Sequence, residues 1–222
     1  LLPLLGGILT LFFRPKGIPL QRVVSLIFTM ALLLLSIYTV TIANSGDYSV
    51  YLLGNWTAPF GIVMVLDKLS SLMILLTSIL AVIALAYAIS QGTDKKGQHF
   101  HVLYQIQLFG LNGAFLTGDL FNLFVFFEVL LLASYGLLLH GGGRLRTKGG
   151  LHYVVINLVG SSLFLFAVGT LYGILGTLNI ADMSTHIAQL DSADQGIVAA
   201  AGLLLLVVLV IGAQSLDRKS VV

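Results

Sequence analysis

Apolar runs separated by short polar segments set the pattern of the chain. Apart from the first, each run is long enough to cross a hydrocarbon core of about 30 Å as a helix, which satisfies its own backbone hydrogen bonds in lipid. The pattern predicts an all-α integral membrane protein, a single membrane domain of about seven transmembrane helices. The runs cover residues 1–13, 20–43, 62–90, 100–117, 120–139, 151–176 and 196–213.

The run at 1–13 is short for a membrane span. No basic residue precedes it and no small-residue cleavage motif follows it, so it does not resemble a signal peptide. We interpret it as the end of a transmembrane helix whose start precedes Leu1. The chain is therefore expected to be a fragment of a longer protein.

Composition agrees with a lipid environment. Hydrophobic residues make up 58% of the chain and charged residues 9%, with a mean hydropathy of +1.02, whereas soluble domains carry about 25% charged residues. The chain has no cysteine, and it shows neither a Gly-rich phosphate loop nor a His-x-x-x-His pair. We therefore expect lipid as the main surrounding medium, and no cofactor, no metal site and no nucleic-acid partner.

The basic residues alternate between successive connections. Ten of the eleven Lys and Arg residues lie in the first, third and fifth connections or after the last run, and Lys68 is the exception. Cytoplasmic loops of membrane proteins carry an excess of Lys and Arg. The pattern predicts that the segments 14–22, 91–99 and 140–150 are cytoplasmic, and that the chain enters the membrane from outside.

Glu128 is the only glutamate of the chain, and it lies about nine residues into the fifth run. At about 1.5 Å per residue, this places it about 13 Å below the outer end of its helix, close to the membrane midplane. An ionisable group at this depth costs about 2.5 kcal/mol or more and is a functional candidate by default. The alternative interpretation is a protonated carboxyl that joins helices by hydrogen bonds.

Polar side chains on neighbouring runs form stripes at helical spacing. The fourth run carries one stripe, the sixth carries another, and Tyr135 lies seven residues from Glu128 on the same face. Two interpretations stay open, a hydrated relay and ordinary hydrogen bonding between membrane helices. The stripe residues are His101, Gln105 and Asn112 on the fourth run, and Tyr153, Asn157 and Ser161 on the sixth.

Other polar positions have simpler interpretations. His140 and His152 flank the basic fifth connection, where they either relay protons or are merely solvated. Asp67 and Lys68 are interpreted as a charge pair at a helix start, and Asp119 as the cap of the fifth helix after the turn at Gly118. The sequence from Gly169 to Gly173 has the Gly-x-x-x-Gly spacing typical of close helix packing.

Two stretches resemble a known family. Residues 117–128 (Thr-Gly-Asp-Leu-Phe-Asn-Leu-Phe-Val-Phe-Phe-Glu) and 152–179, from His-Tyr-Val-Val-Ile-Asn-Leu to Gly-Thr-Leu-Asn, are similar to the D subunit of Mrp-type multisubunit cation/proton antiporters. Residues 66–70 agree with the same family. The resemblance implies a fold related to the antiporter-like subunits of complex I, with two inverted five-helix repeats. It also implies a proton-carrying glutamate, here Glu128, and a partner lysine on the seventh helix.

That lysine has no counterpart here. Residues 207–212 contain no base, and Lys219 lies in a polar tail unlike the family, so the role is not transferred to it. We interpret 213–222 as an atypical tail produced by truncation or a change of reading frame. The chain is expected to hold the N-terminal helices and most of one inverted repeat.

The resemblance implies a subunit of a Na⁺ or K⁺/proton antiporter in a bacterial plasma membrane, a transporter rather than an enzyme. It implies other subunits of a hetero-oligomeric complex as partners, and H⁺ with Na⁺ or K⁺ as the transported ions. The path through Glu128 would be supported by other polar side chains. Two alternatives stay open, a proton-pumping subunit of a complex I-like NADH:quinone oxidoreductase, and a structural or assembly subunit. The supporting side chains are His101, Gln105, Asn112, Tyr135, His152, Asn157 and Ser161.

Overall fold

A computed structural model shows a helical protein. It describes residues 1–44, 46, 48–56 and 61–217, with side chains at 1–44, 46, 48–56, 61–144, 146–192 and 194–208. The predicted tail at 213–222 therefore lies partly outside the described residues, and Lys219 lies outside them. The helices are α1 Leu2–Phe12, α2 Ile18–Ala43, α3 Lys68–Ser90, α4 Phe100–Leu116, α5 Leu120–Leu138, α6 Arg144–Leu175, α7 Ile180–Ile187 and α8 Ser192–Asp217; the strands β1 Ser49–Leu52 and β2 Val63–Leu66 pair in one sheet.

Within the described residues, four helical segments are long and apolar enough to cross a membrane, and α1 and the apolar part of α8 are shorter. The all-α membrane fold is thus confirmed in its class, while the predicted number of seven spans stays a prediction. The four segments are Ile18–Ala43, Lys68–Ser90, Leu120–Leu138 and Arg146–Leu175.

The start of the third helix differs from the prediction of 62. Residues 63–66 form β2, and α3 begins at Lys68. Asp67 caps the helix: its Oδ1 accepts from the backbone N–H of Ser70 at 2.6 Å, and the Ser70 hydroxyl accepts from the N–H of Asp67 at 2.9 Å. Apolarity continues across this boundary, but an apolar run alone does not distinguish strand from helix. The capping box decides where the helix starts.

The fifth and sixth connections also differ from the prediction. Gly141, Gly142 and Gly143 have positive φ angles of 87°, 66° and 107°, and α6 begins directly after them at Arg144. The basic residues predicted in a loop at 140–150 therefore lie mostly on the first turns of α6, since a helix extends beyond the apolar part of its sequence. In the sixth connection, Asn179 accepts from the N–H groups of Ala181 and Asp182 and caps the short helix α7, which was not predicted.

Two compact units divide the chain. Unit 1 comprises Leu1–Val50, Val65–Leu116 and Phe126–Gly143, and unit 2 comprises Tyr51–Met64, Thr117–Val125 and the described residues from Arg144 onward.

In unit 1, α1 packs against α2 and α4, and α2 packs against α3. A buried apolar cluster of Leu32, Ala81 and Leu108 joins α2, α3 and α4.

In unit 2, α6 packs against α8. Two clusters form this core: Leu171, Leu175, Met183 and Ala201 in one, and Phe164, Val168 and Val208 in the other.

Candidate functional site

The start of α5 is held by a polar cap. The Oδ1 atom of Asp119 accepts from the backbone N–H of Asn122 at 2.8 Å, which confirms the predicted cap. The Nδ2 atom of Asn122 donates to the Thr117 hydroxyl at 2.9 Å. Burial raises the pKa of Asp119. These bonds satisfy donors that the first turn of a helix would otherwise leave unpaired.

Backbone hydrogen bonds join the two family-like stretches inside unit 2. The N–H of Leu120 donates to the carbonyl of Leu178, and the N–H of Ile180 donates to the carbonyl of Gly118, both at 2.9 Å. The N–H of Gly118 donates to the carbonyl of Val63 at 2.8 Å. The residues that carry the family resemblance thus fix the point at which α5 begins.

Glu128 is the ninth of the nineteen residues of α5, next to the middle of the helix. Its side chain is half-buried. The helix that carries it is long and apolar enough to cross a membrane. A carboxyl group next to the middle of so apolar a helix is a candidate functional group.

Close contacts set the register between α4 and α5 in unit 1. A Cβ atom on Gly110 would lie 2.9 Å from the backbone N of Leu130, and one on Gly113 would overlap the Phe126 ring. A Cβ on Gly136 would lie 2.7 Å from Leu103. Along α4, the contacts at Leu103, Gly110 and Gly113 are made with residues of α5 that come progressively earlier in the chain, so the two helices are antiparallel. Glu128 therefore lies at about the level of Asn112.

Glu128 nevertheless leaves α5 on the side away from α4. It lies two residues after Phe126 and two residues before Leu130, which both contact α4. At about 100° per residue, its direction differs from theirs by about 160°. By the same helical spacing, Tyr135, seven residues on, is expected on the face of Glu128.

The polar stripe of α4 faces α1 and α2 instead. The Nε2 atom of Gln105 donates to the hydroxyl oxygens of Ser25 at 3.1 Å and Thr29 at 3.0 Å. His101 and Asn112 are buried on the same face. The structure therefore brings His101, Gln105 and Asn112 together along one face, but on the opposite side of the α4–α5 pair from Glu128.

A charged cluster at the start of this stripe was not predicted. Asp94, in the turn between α3 and α4, accepts from Arg22 through both carboxylate oxygens, at 2.5 and 2.8 Å. The Nε2 atom of His101 lies 3.2 Å from Asp94 Oδ2. The hydrogen bond from Arg22 lowers the pKa of Asp94. In the sequence, Asp94 is the only acidic residue of a basic connection and lies seven residues before His101. Because Lys95 and Lys96 follow it directly, it resembled an ordinary loop charge.

The sequence-predicted residues of α6 belong to unit 2. The Nδ2 atom of Asn157 donates to the carbonyl of Tyr153 at 3.0 Å, which is a bond within the helix. Ser161 is half-buried, and His152 is exposed. His140, in unit 1, lies near the α3–α4 turn, with its Nε2 atom 3.0 Å from the carbonyl oxygen of Thr93. Within the described residues, no group of three or more His, Asp or Glu side chains is arranged to hold a metal ion.

Comparison with known proteins bears on this arrangement. Residues 117–216 match the family described as "NADH:quinone oxidoreductase/Mrp antiporter, TM". Over 196 residues, the chain is 50% identical to the D subunit of a probable K⁺/H⁺ antiporter of Rhizobium meliloti, covering 86% of this chain and 36% of the relative. It is 43% identical over 189 residues to the D subunit of the Na⁺/H⁺ antiporter of Alkalihalophilus pseudofirmus, covering 85% of this chain and 38% of the relative.

Solved structures show the same fold. The Mrp complex from Dietzia sp. DQ12-45-1b contains a chain 34% identical, with a TM-score of 0.81, covering 93% of this chain and 38% of that one. A chain of the archaeal membrane-bound sulfane sulfur reductase, a respiratory complex, is 26% identical with a TM-score of 0.85, covering 94% of this chain and 42% of that one.

Residues 117–216 are thus similar to the membrane region shared by Mrp antiporters and NADH:quinone oxidoreductases, and the fold is that of their membrane subunits. Within this class, the predicted resemblance to the D subunit of Mrp-type antiporters is confirmed. The chain spans less than half the length of the curated relatives that it matches.

Proposed function

We propose that this chain is part of a D-type subunit of a multisubunit Na⁺ or K⁺/proton antiporter, and that Glu128 carries protons through it. One observation supports the role most directly: the only glutamate of the chain lies next to the middle of an apolar helix. It does so inside the region that matches the antiporter family. A carboxyl at this depth is costly and is retained mainly where it faces a bundle interior or a water-filled path.

The chemistry of the carrier needs no covalent step. A protonated Glu128 is neutral and is tolerated in a low-dielectric surrounding, whereas the ionised form is stabilised by a nearby cation. Exchange follows if the two forms open toward different sides of the membrane. The driving force is the transmembrane gradient, about 2.3 kcal/mol per elementary charge per 100 mV.

The experiment is a substitution of Glu128 in the complete subunit, assembled in its complex. In inverted membrane vesicles, Glu128→Gln should abolish the proton movement that added Na⁺ or K⁺ induces, because the amide cannot release a proton. Asp191→Asn is the matched control, since it makes the same change at an exposed acid, and it should transport normally. Full exchange in Glu128→Gln would refute the carrier role.

We place the protein in a bacterial plasma membrane, in a complex with other subunits. The named relatives are bacterial antiporter subunits, and the Dietzia chain is part of an Mrp complex. The segments 14–22, 91–99 and 140–150 face the cytoplasm in this proposal. The same carboxylate suits H⁺, Na⁺ and K⁺, so the transported cation is identified by testing each salt in the vesicle assay.

A redox-driven proton pump is the second candidate. It is favoured by the family description, which includes NADH:quinone oxidoreductases, and by the fold likeness to a chain of an archaeal respiratory complex. In that case quinone-reductase activity would co-purify with the complex, and proton movement would require electron transfer. Cation-driven exchange without any electron donor would exclude it.

A structural or assembly role is the third. Glu128 would then join helices only, so Glu128→Gln would leave transport intact and reduce the amount of assembled complex recovered in detergent.

A further inference from the structure

A buried polar seam runs through unit 1 where α1, α2 and α4 meet. α2 presents polar side chains along one face at spacings of four and seven residues, and α4 presents its stripe opposite them. All are at most 8% exposed, although the surrounding helices are apolar. The seam consists of Thr10 on α1, Gln21, Ser25, Thr29 and Ser36 on α2, and His101, Gln105 and Asn112 on α4.

Hydroxyl groups in the polar seam have hydrogen-bond partners within their own helices, whereas several side-chain atoms of α4 have none in the described part of the chain. Thr10 donates to the carbonyl of Gly6, and Thr29 donates to the carbonyl of Ser25, one turn earlier in each helix. On α4, by contrast, four side-chain atoms are buried without a hydrogen-bond partner among the described residues: His101 Nδ1, Gln105 Oε1 and Asn112 Oδ1 in the polar seam, and Gln107 Oε1 on a different face of the helix. Buried polar atoms of this kind are usually satisfied by internal water.

The protonation of His101 follows from its partners. Both oxygens of Asp94 accept from Arg22, which holds the carboxylate in its ionised form as an acceptor. The Nε2 atom of His101, 3.2 Å from Asp94 Oδ2, therefore carries its hydrogen. In the neutral ring, the lone pair therefore lies on Nδ1, the atom that is buried without a hydrogen-bond partner among the described residues.

We propose that His101 is a proton-binding site separate from Glu128, and that its Nδ1 atom takes up a proton from water bound in the polar seam. The bound water relays a proton from the bulk: it gives one proton to Nδ1 and receives another from the solvent, so it stays neutral, and the ring becomes a cation whose Nε2–H stays on Asp94. The Arg22–Asp94 pair is neutral as a unit, but its carboxylate is the part that contacts His101. The carboxylate therefore still stabilises the new positive charge. The same orienting arrangement of carboxylate and imidazole tunes histidines elsewhere.

Other titratable groups near His101 affect how readily its ring takes up a proton. The rings of His140 and His101 each lie 5.3 Å from the Phe100 ring, so a positive charge on one of them disfavours a positive charge on the other. Tyr104 on the same helix donates to the carbonyl of Ala81 on α3 at 2.6 Å and does not face Nδ1. α1 contributes no titratable side chain.

The spacing on α4 allows one water to join His101 and Gln105. The two residues are four apart on α4, about 6 Å along the helix axis. A single water that bonds to both sides spans about 5.6 Å, twice an ordinary hydrogen-bond length. A water there can donate to Gln105 Oε1 and to His101 Nδ1, which satisfies both unpartnered atoms.

The test is solid-state NMR on the chain in lipid bilayers, with ¹⁵N-labelled histidine, followed from alkaline to acidic pH. His101 is assigned by the loss of its signals in His101→Phe or, if that variant fails to fold, by backbone correlations in the unsubstituted chain. The Nδ1 signal should change from the unprotonated to the protonated position. Water should transfer magnetisation to it at short mixing times.

Four variants sharpen the test. Asp94→Asn should move the midpoint of the Nδ1 titration down by about 1–3 pH units, because it removes the facing charge. Gln105→Leu should weaken the transfer from water, while Gln107→Leu, on a different face of α4, should not. In Glu128→Gln the titration of His101 should persist, so it can be measured whether or not Glu128 carries protons.

A Nδ1 atom that stays unprotonated at every pH where the chain is folded would overturn the proposal. So would a Nδ1 atom without contact to water in the unsubstituted chain.

Discussion

Among single residues, Asp94 is notable for a buried charge held by an ion pair with Arg22. Its side chain is fully buried, while that of Arg22 is 22% exposed, and the two form a bidentate pair. Removing one member of a buried pair costs about 3–5 kcal/mol, because the other charge is left without a partner. Removing both members costs less, since no isolated charge remains.

We therefore expect Asp94→Asn to destabilise unit 1 more than Arg22→Gln combined with Asp94→Asn does. Thermal unfolding in detergent, with both single variants and the double variant, gives the coupling between the two sites. A loss in the double variant equal to the sum of the losses in the two single variants would mean that the pair contributes no coupling energy.

Acid should weaken the same pair. The folded pKa of Asp94 lies below its unfolded value because Arg22 donates hydrogen bonds to the carboxylate. Its contribution to stability is therefore fully present above the unfolded value of about 3.9 and is lost as pH falls from there through the folded pKa. The unfolding temperature should fall over that acidic range, and it should fall less steeply in Asp94→Asn.

The sequence predicts the position of Glu128 along α5 well, but not the direction in which its side chain leaves the helix. Its place in an apolar run determines how far it lies from the helix end, and the capping residue Asp119 is visible in the sequence. The direction of its side chain depends on which face of α5 packs against α4, and no periodicity within α5 specifies that. The pairing of His101 with Asp94 was not predicted either. It depends on the turn between α3 and α4, which brings the two residues together and leaves no periodic pattern in the sequence.

At the scale of helices, glycines control the approach of α4 to α5. A Cβ on Gly110 would lie 2.9 Å from the backbone N and 3.0 Å from the Cα of Leu130, and backbone atoms cannot move aside as a flexible side chain can. The two helices therefore meet at a distance that alanine does not permit.

Gly110→Ala should accordingly destabilise the chain by about 1–3 kcal/mol through overpacking. Gly202→Ala on α8 is the control, because a Cβ there meets no described atom within 4 Å, and alanine favours a helix by about 1 kcal/mol over glycine. The unfolding temperatures of the two variants in detergent should move in opposite directions. A neutral effect of Gly110→Ala would mean that α5 shifts to make room.

Helix packing and helix boundaries show where sequence patterns stop being informative. The Gly-x-x-x-Gly spacing predicted close packing at Gly169 and Gly173, but both are exposed, and a Cβ on either meets no described atom within 4 Å. The close approach occurs at Gly110 and Gly113, which are three residues apart. Apolar runs located the helices, whereas caps and glycine turns, rather than hydropathy, fixed their ends.

For the molecule as a whole, the distribution of basic residues makes a topology prediction that can be checked directly. The chain has no cysteine, so a single introduced cysteine reports its own side of the membrane. Lys96 and Asp191 are both exposed, and the charge pattern assigns them to opposite sides.

In intact cells, a membrane-impermeant maleimide should label Asp191→Cys and should leave Lys96→Cys unlabelled until the membrane is opened. In inverted vesicles the order should reverse. Labelling of both residues from the same side would show that the alternation of charges does not report the number of crossings between them.

The backbone bonds that join Gly118 and Leu120 to Val63, Leu178 and Ile180 have a consequence for how this sequence can vary in length. They anchor the start of α5, so a residue inserted between Asp119 and Glu128 cannot be absorbed there. It would turn the carboxyl by about 100° and displace it by about 1.5 Å along the helix. Beyond Glu128 the helix runs into three glycines with positive φ angles. Natural length changes are therefore expected after the glutamate and not before it.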